Sequence, residues 1–394
     1  MTHTDKPIVA KFSTNFLPYS ETFVFDEVNA HRTYDVEVLA LRRANADRFA
    51  VDIPVHALAS GGWWGEFESR LCQATSFSPT FIHQIRARRY DVLHAHFGTG
   101  GVYGLAYQAA FNLPLVVTFH GHEVPLLSSS RRYRPEYLPY WLLSKPLLRR
   151  ADLMLVVSPL FVDELIRLGA PPERVRLFNL GTTIPDLPPP APRAAPHRVL
   201  MIGRFVEKKG MTYGIQAFAK ALTEGVQARL SLAGDGPLRP VYEALIAELG
   251  IGDQVDFLGV LTHDEVGREL ERTDVLLVPS VTSQDGNTEG APTVIKEAGA
   301  RYVPVVATKH GGIPSQIDEG ESGFLVPERD VDALANRLQI LLNTPALRAS
   351  MGRAARAVMN ERFNLERQVR LLEQYYDEVR VARAERRPLE IPSA

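Results

Sequence analysis

One cysteine, Cys72, stands in the 394 residues. No intrachain disulfide can form, so stability must come from a packed core, and a reducing compartment fits. Surplus charge is also missing: 44 Lys and Arg against 46 Asp and Glu leave a net charge of −2. Such a balance gives no bulk attraction to nucleic acid. No apolar run reaches the roughly 18 to 20 residues that a membrane-crossing helix needs. The N-terminus, MTHTDKPIVAKFS, lacks the basic-then-apolar order of a secretory signal. Together these absences set the expectation of a cytoplasmic protein. No Gly-x-Gly-x-x-Gly follows the first apolar run, which argues against nicotinamide chemistry.

What is present is ordinary globular composition, 45% hydrophobic and 23% charged, in a chain too long for one core. Short β-branched runs alternate with amphipathic segments. In the first half they are PIVAKFS (7–13), VEVLAL (36–41), DVLHAHF (91–97), PLVVTFHG (114–121) and DLMLVVS (152–158). In the second half they are RVLMIGRF (198–205), ARLSLAG (228–234), QVDFLG (254–259), DVLLVPS (274–280) and VPVVAT (303–308). Continuous apolar runs of this length predict strands buried on both faces, hence parallel sheets. Helical periodicity at 211–224, 238–249 and 331–343 fills the gaps, and the alternation predicts an α/β protein. The proline-rich stretch 182–197 can neither pair as a central strand nor continue a helix. It divides an N-terminal domain, 1–181, from a C-terminal domain, 198–363. A final amphipathic helix, 364–394, is expected to reach back toward the first domain.

Doubly wound sheets bind ligands at the carboxyl ends of their strands. Polar residues there are the informative ones. Gly203, Arg204 and Lys209 follow one predicted strand: a glycine for close approach, a planar guanidinium and a point charge, both suited to phosphate. An ordinary solvated loop fits the same residues. After the strand ending near Ser280 comes Glu289-Gly290-Ala291-Pro292-Thr293, with Pro292 expected as the first helical residue. The backbone of 290–293 suits an anion. Glu297 follows eight positions after Glu289. Carboxylates beside a phosphate site need another partner, and sugar or ribose hydroxyls supply it. The local chemistry therefore points to a nucleotide sugar.

GRFVEKKG, AGDGP, FLGVL, DVLLVPS, EGAPTVIKEAGA, ATKHGGIPSQI and GESGFLVP occur in this order. The set resembles the retaining glycosyltransferases of family 4, which have the GT-B fold. The second half matches throughout, the first half through DVLHAHFG and TFHGHE. FLPYSETFVFDEV is similar to enzymes of exopolysaccharide, colanic-acid-type assembly. The resemblance implies two Rossmann-like, doubly wound parallel-sheet domains facing a central cleft, with donor in the second and acceptor in the first. It implies that Arg204 and Lys209 hold the diphosphate, that Glu289 meets the donor sugar, that Glu297 binds the ribose, and that His120 lies beside the sugar. Gly203 and the backbone of Gly290, Ala291, Pro292 and Thr293 complete the donor set. Ser20, Glu21, Thr22, His96, His122 and Glu123 are expected on the acceptor side. Two departures stand out: SETF replaces the family's Gly-Gly loop, and Ser315 replaces the acid of the Gly-Gly-Ile-Pro-Glu pattern.

The implied activity is retaining transfer of a hexosyl group from a UDP- or GDP-sugar to a glycan or lipid-linked glycan. A small-molecule acceptor, an epimerase or phosphorylase on the same scaffold, and a non-enzymatic sensor remain as alternatives. No cofactor is expected. Arg204 and Lys209 take the part that a metal ion would play. His94, His96, His120 and His122 invite comparison with a metal site, but their spacing is not diagnostic and no metal is assigned. The segment 128–150 interleaves basic and aromatic residues. It suits peripheral contact with an anionic inner membrane surface, or a lipid diphosphate.

Overall fold

The computed structural model describes residues 6–18, 22–46, 51–121, 123–134, 137–191 and 193–389. Ser20, Glu21 and His122 lie outside the described residues. The chain forms two compact units, one of residues 1–181 with 365–394, the other of residues 182–364.

The first unit is built on a seven-stranded sheet. Its strands are β1 Ile8–Phe16, β2 Asp35–Arg43, β3 Val55–Ala57, β4 Val92–His96, β5 Leu115–Phe119, β6 Leu153–Val156 and β7 Val175–Leu177, in the order β3-β2-β1-β4-β5-β6-β7. Every neighbouring pair is parallel. The apolar runs read from the sequence explain this directly. β4, β5 and β6 are buried at every position, as strands covered by helices on both faces must be. The C-terminal helix Leu365–Glu385 packs within this unit through Val369, Leu372, Tyr376, Val379 and Ala382, spaced for one helical stripe. Ion pairs pin its rim. Arg176 grips Glu378 with both guanidinium nitrogens at 2.6 and 2.5 Å, Arg380 meets Asp91 at 2.8 Å and Arg383 meets Asp152 at 2.8 Å.

The second unit carries a six-stranded sheet of β8 His197–Ile202, β9 Ala228–Ala233, β10 Val255–Gly259, β11 Val275–Val278, β12 Val305–Thr308 and β13 Gly323–Val326. The order is β10-β9-β8-β11-β12-β13, again all parallel. Alternate strand residues feed two apolar layers. Val199, Met201 and Leu277 join Phe205, Ile215, Phe218 and Leu338 on one face, while Leu200 and Leu276 join Ile295, Ala298 and Ile313 on the other. Burying each such large side chain contributes roughly 1.5 to 3 kcal/mol.

Strand β8 starts at His197, one residue inside the proline-rich stretch. Three strands have no counterpart among the runs read from the sequence: β3, β7 and β13. β3 and β7 are three-residue edge strands, too short for a period to register, and β13 is only four residues long, opening on Gly323.

Candidate active site

In the second unit, the chain leaves β8 at Gly203 and makes one turn of 3-10 helix, Glu207–Lys209. Gly203 has φ +149, and a Cβ there would lie 2.9 Å from Lys209 Cε. The absent side chain lets Lys209 fold back across the strand end. Its Nζ lies 3.2 Å from Glu289 Oε1, and Lys208 Nζ lies 3.6 Å from the same oxygen. Lys208 also donates to the Thr288 carbonyl at 3.3 Å. Glu289 is buried, at 7% exposure. Burial alone would raise its carboxyl pKa, but Lys209 and Lys208 outweigh burial and hold it below the usual carboxylate range. The Lys208 ammonium is pushed below its ordinary value, first by burial and then by Lys209 and Arg204, against the pull of Glu289. Arg204 itself is exposed. Two cations thus meet one buried carboxylate beyond the end of β8, and Arg204, close enough to depress the Lys208 ammonium, is exposed.

Glu289 is held from its backbone. Its N–H donates to His310 Nε2 at 2.9 Å. Upstream, the loop closes on itself: Ser283 Oγ donates to Asp285 Oδ1 at 2.6 Å, and the Asn287 N–H donates to Asp285 Oδ1 at 3.1 Å. Asp285 is therefore engaged in shaping its own loop. The helix after Glu289 begins at Thr293, with Pro292 just outside it, one residue later than the sequence predicts. Gly290, Ala291 and Thr293 are half-buried, and Glu297 sits half-buried in that helix. The Pro292 carbonyl accepts from Gln316 Nε2 at 3.2 Å. Ser315, standing where the family pattern has an acid, spends its hydroxyl on the Gly312 carbonyl at 2.7 Å. It keeps the turn closed.

In the first unit, His120 follows β5 and His96 ends β4. Their rings stack at 5.3 Å with 17° between planes, and His96 Nδ1 lies 3.1 Å from His120 Nε2. Phe23 and Phe97 flank His120 at 4.7 and 4.5 Å. Glu123, expected on the acceptor side, turns its carboxylate to the chain itself. It accepts from the N–H groups of His120 at 2.6 Å and Gly121 at 3.1 Å, so it braces the turn that carries His120. Thr22 opens the helix Thr22–Ala30 and is half-buried.

Behind His96 lies a buried network that the sequence did not disclose. Lys11, on β1, stands beside His94 of β4 in the sheet register. Its ammonium bonds Glu27, His94 Nδ1 at 2.9 Å and the Tyr376 hydroxyl at 2.7 Å. His94 Nε2 lies 2.7 Å from Thr118 Oγ1, and His96 Nε2 lies 3.5 Å from Glu27 Oε1. Glu27, His94 and His96 bring one potential metal ligand each within 4.8 Å of one another. The Lys11 ammonium already binds two of the three, so the chain supplies its own cation there.

Burial pushes the His96 imidazole down to about 4 and His94 well below its ordinary range, and it lowers His31 as well. Unfolded histidines bind protons near 6.5, so unfolding takes up protons between pH 6.5 and about 4. The sign follows: the first unit is most stable above that window and loses stability as pH falls through it. His96 alone contributes on the order of 3 kcal/mol to this change. All three tryptophans, Trp63, Trp64 and Trp141, lie in this unit. The urea midpoint followed by tryptophan fluorescence is therefore expected to be clearly lower at pH 5 than at pH 7.5; equal midpoints would contradict the buried neutral histidines.

Residues 189–358 match the glycosyl transferases group 1 family, and residues 29–181 match the glycosyl transferase 4-like domain. WcaL of Escherichia coli (strain K12), named as a colanic acid biosynthesis glycosyltransferase, is 31% identical over 395 residues, covering 90% of this chain and 95% of WcaL. The chain belongs to the glycosyl transferases group 1 family. It is a glycosyltransferase. The amylovoran biosynthesis glycosyltransferase AmsK of Erwinia amylovora is 28% identical over 395 residues, covering 90% of this chain and 95% of AmsK. Among solved structures, sucrose-phosphate synthase from Thermosynechococcus elongatus superposes with TM-score 0.73 at 24% identity, over 96% of this chain and 100% of that one. Anabaena HepE in complex with UDP-glucose gives TM-score 0.72 at 20% identity, over 94% and 99%. These likenesses establish the fold of this glycosyltransferase as GT-B.

Proposed function

We propose that this glycosyltransferase moves a hexosyl group from a nucleoside diphosphate sugar to a glycan or lipid-linked glycan, with retention of anomeric configuration, in exopolysaccharide assembly. The observation that carries the reading is the buried, ionised Glu289 set against Lys208 and Lys209, with Arg204 open to solvent beside them. An ionised carboxylate accepts strong hydrogen bonds from sugar hydroxyls. The adjacent cations meet the diphosphate, where negative charge grows as the leaving group departs. In this reading Arg204 and Lys209 hold the diphosphate, Gly203 and the backbone of 290–293 come close to it, and Glu297 takes the ribose hydroxyls. His120 lies beside the transferred sugar, and Thr22 and His96 belong to the acceptor side. The cations carry the leaving-group charge without a metal ion.

The relatives named for colanic acid and amylovoran biosynthesis support the acceptor class, and the HepE complex with UDP-glucose supports the donor class. Among the described residues, no helix is long and apolar enough to cross a membrane. The helix Leu138–Arg150 buries Tyr140, Leu147 and Leu148 and exposes Leu138, Leu142, Leu143, Arg149 and Arg150. An exposed leucine and arginine face suits peripheral contact with an anionic cytoplasmic membrane face, near a lipid-linked acceptor.

The test is product analysis. The protein is incubated with a panel of UDP- and GDP-sugars, with and without a lipid-linked oligosaccharide acceptor, in EDTA. The proposal expects acceptor-dependent nucleoside diphosphate release and a new glycosidic bond of the donor's anomeric configuration. Conversion of donor without acceptor would point instead to an epimerase, and inverted product would remove retention.

A further inference from the structure

Two residues meet behind Glu289. His310 follows β12 and is buried, at 1% exposure. Glu328 follows β13. His310 Nδ1 lies 2.6 Å from Glu328 Oε1, while His310 Nε2 faces the Glu289 N–H at 2.9 Å. The hydrogen-bond chemistry fixes the imidazole. An ionised carboxylate only accepts and a backbone N–H only donates. The ring must therefore be neutral, with its proton on Nδ1 and a lone pair on Nε2. Glu328 is held ionised. Burial acts to raise its carboxyl pKa, but the Thr282 N–H and His310 outweigh this and bring it below the usual range.

Glu328 also reaches the other end of the same loop. It accepts from the Thr282 N–H at 2.8 Å and from Thr282 Oγ1 at 3.1 Å. One carboxylate thus ties residue 282 directly and residue 289 through an imidazole. Gly311 closes the remaining side: its φ is +52, and a Cβ there would lie 2.1 Å from the Glu289 carbonyl oxygen. Both backbone polar groups of Glu289 are packed on the turn at 310–311, so the direction of its carboxylate toward Lys209 is set from behind.

We infer that His310 and Glu328 are positioning residues, a neutral Nδ1–H imidazole and its carboxylate that aim Glu289 at the donor sugar. This rests on the reading of Glu289 as the sugar-facing carboxylate. Neither residue touches the donor. Their role is to keep the Glu289 carboxylate in place when Lys208 and Lys209, which face it at 3.6 and 3.2 Å, turn to the incoming diphosphate. A carboxylate held only by those two cations would move with them. One held through its own backbone does not. The charged groups around His310 are Glu328, with Arg329 beside it at 3.1 Å, and Glu289 with its two lysines.

The experiment uses the full chain and compares wild type, Glu328→Ala, Glu328→Gln and His310→Phe. Nitrogen-15 NMR of the histidine rings reads the tautomer. Wild type is expected to show His310 with protonated Nδ1 and bare Nε2, the reverse of the form that dominates free imidazole side chains, and Glu328→Ala is expected to lose that signature. For transfer, Glu328→Ala and His310→Phe are expected to lower kcat by about 10- to 100-fold, the cost of a misplaced catalytic group. The dissociation constant for UDP or GDP should stay within about threefold, since the diphosphate contacts are untouched. Glu328→Gln should recover most of the activity, because its amide oxygen still accepts from Nδ1–H. A wild-type His310 protonated on Nε2, an unchanged kcat in folded Glu328→Ala, or equal losses of kcat and nucleotide affinity would overturn the inference. If wild type transfers no sugar from any donor, the proposed function fails, and the tautomer measurement alone decides the pairing.

Discussion

Glu289→Gln is expected to reduce kcat/KM for sugar transfer by roughly 10²- to 10³-fold, the scale of losing one preorganised electrostatic contact at a reacting centre. The substitution keeps the side chain's size and its backbone bond to His310, so its effect isolates the charge. Two consequences separate this from simple damage. Lys208 and Lys209 lose their shared counter-charge at 3.6 and 3.2 Å, so affinity for the free nucleoside diphosphate should hold or increase. Stability is expected to fall modestly rather than collapse, because Lys208 and Lys209, left without their counter-charge, keep 12% and 17% side-chain exposure to water. The measurement is initial-rate kinetics beside calorimetric titration with the nucleoside diphosphate. Transfer within about threefold of wild type would mean that this carboxylate does not meet the reacting sugar in the transition state.

The second large effect belongs to the first unit. Lys11→Met is expected to destabilise that unit by about 3 to 5 kcal/mol, because it strands the Glu27 charge in the core. Lys11 is 1% exposed and Glu27 4% exposed, so water cannot replace the lost ammonium. His94 and Tyr376 lose the same partner. The double variant Lys11→Met/Glu27→Leu is expected to be clearly more stable than Lys11→Met alone, since a buried ion pair can be exchanged for apolar packing more cheaply than it can be halved. Urea unfolding followed by tryptophan fluorescence reports on this unit alone, because residues 182–364 contain no tryptophan. A Lys11→Met midpoint equal to wild type would show that the ammonium is not the counter-charge of Glu27.

The difference between these two sites in legibility has a physical cause. Arg204 and Lys209 follow the end of β8 and Glu289 closes the loop after β11, where polar residues after apolar runs stand out, while the roles proposed for them come from the family resemblance. Lys11 lies inside PIVAKFS, a run whose apolar neighbours predict burial but do not tell what a cation within it pairs with. Its partners are 16, 83 and 365 positions away. No local pattern connects them; only the parallel register of β1 with β4 and the return of the C-terminal helix do so. His310 and Glu328 show the intermediate case. Both lie in or beside recognisable motifs, ATKHGGIPSQI and GESGFLVP, yet their role depends on two turns converging on the Glu289 backbone. The fold followed from buried apolar runs, with helices at 211–223 and 331–343 falling almost where periodicity placed them. The edge strands β3 and β7 escaped because three residues carry no period. Glu123 was legible as a polar residue beside His120, but its use as a brace for two backbone N–H groups was not.

The strand-end cations of residues 182–364 are proposed to hold a nucleoside diphosphate. Calorimetric titration of UDP and GDP into wild type, Arg204→Ala and Lys209→Met tests it most directly. Wild type is expected to bind at least one of the two, and each variant to bind it about tenfold or more weakly, the loss of one charge-assisted contact. A wild type that binds neither nucleotide, or variants that bind as wild type does, would contradict it.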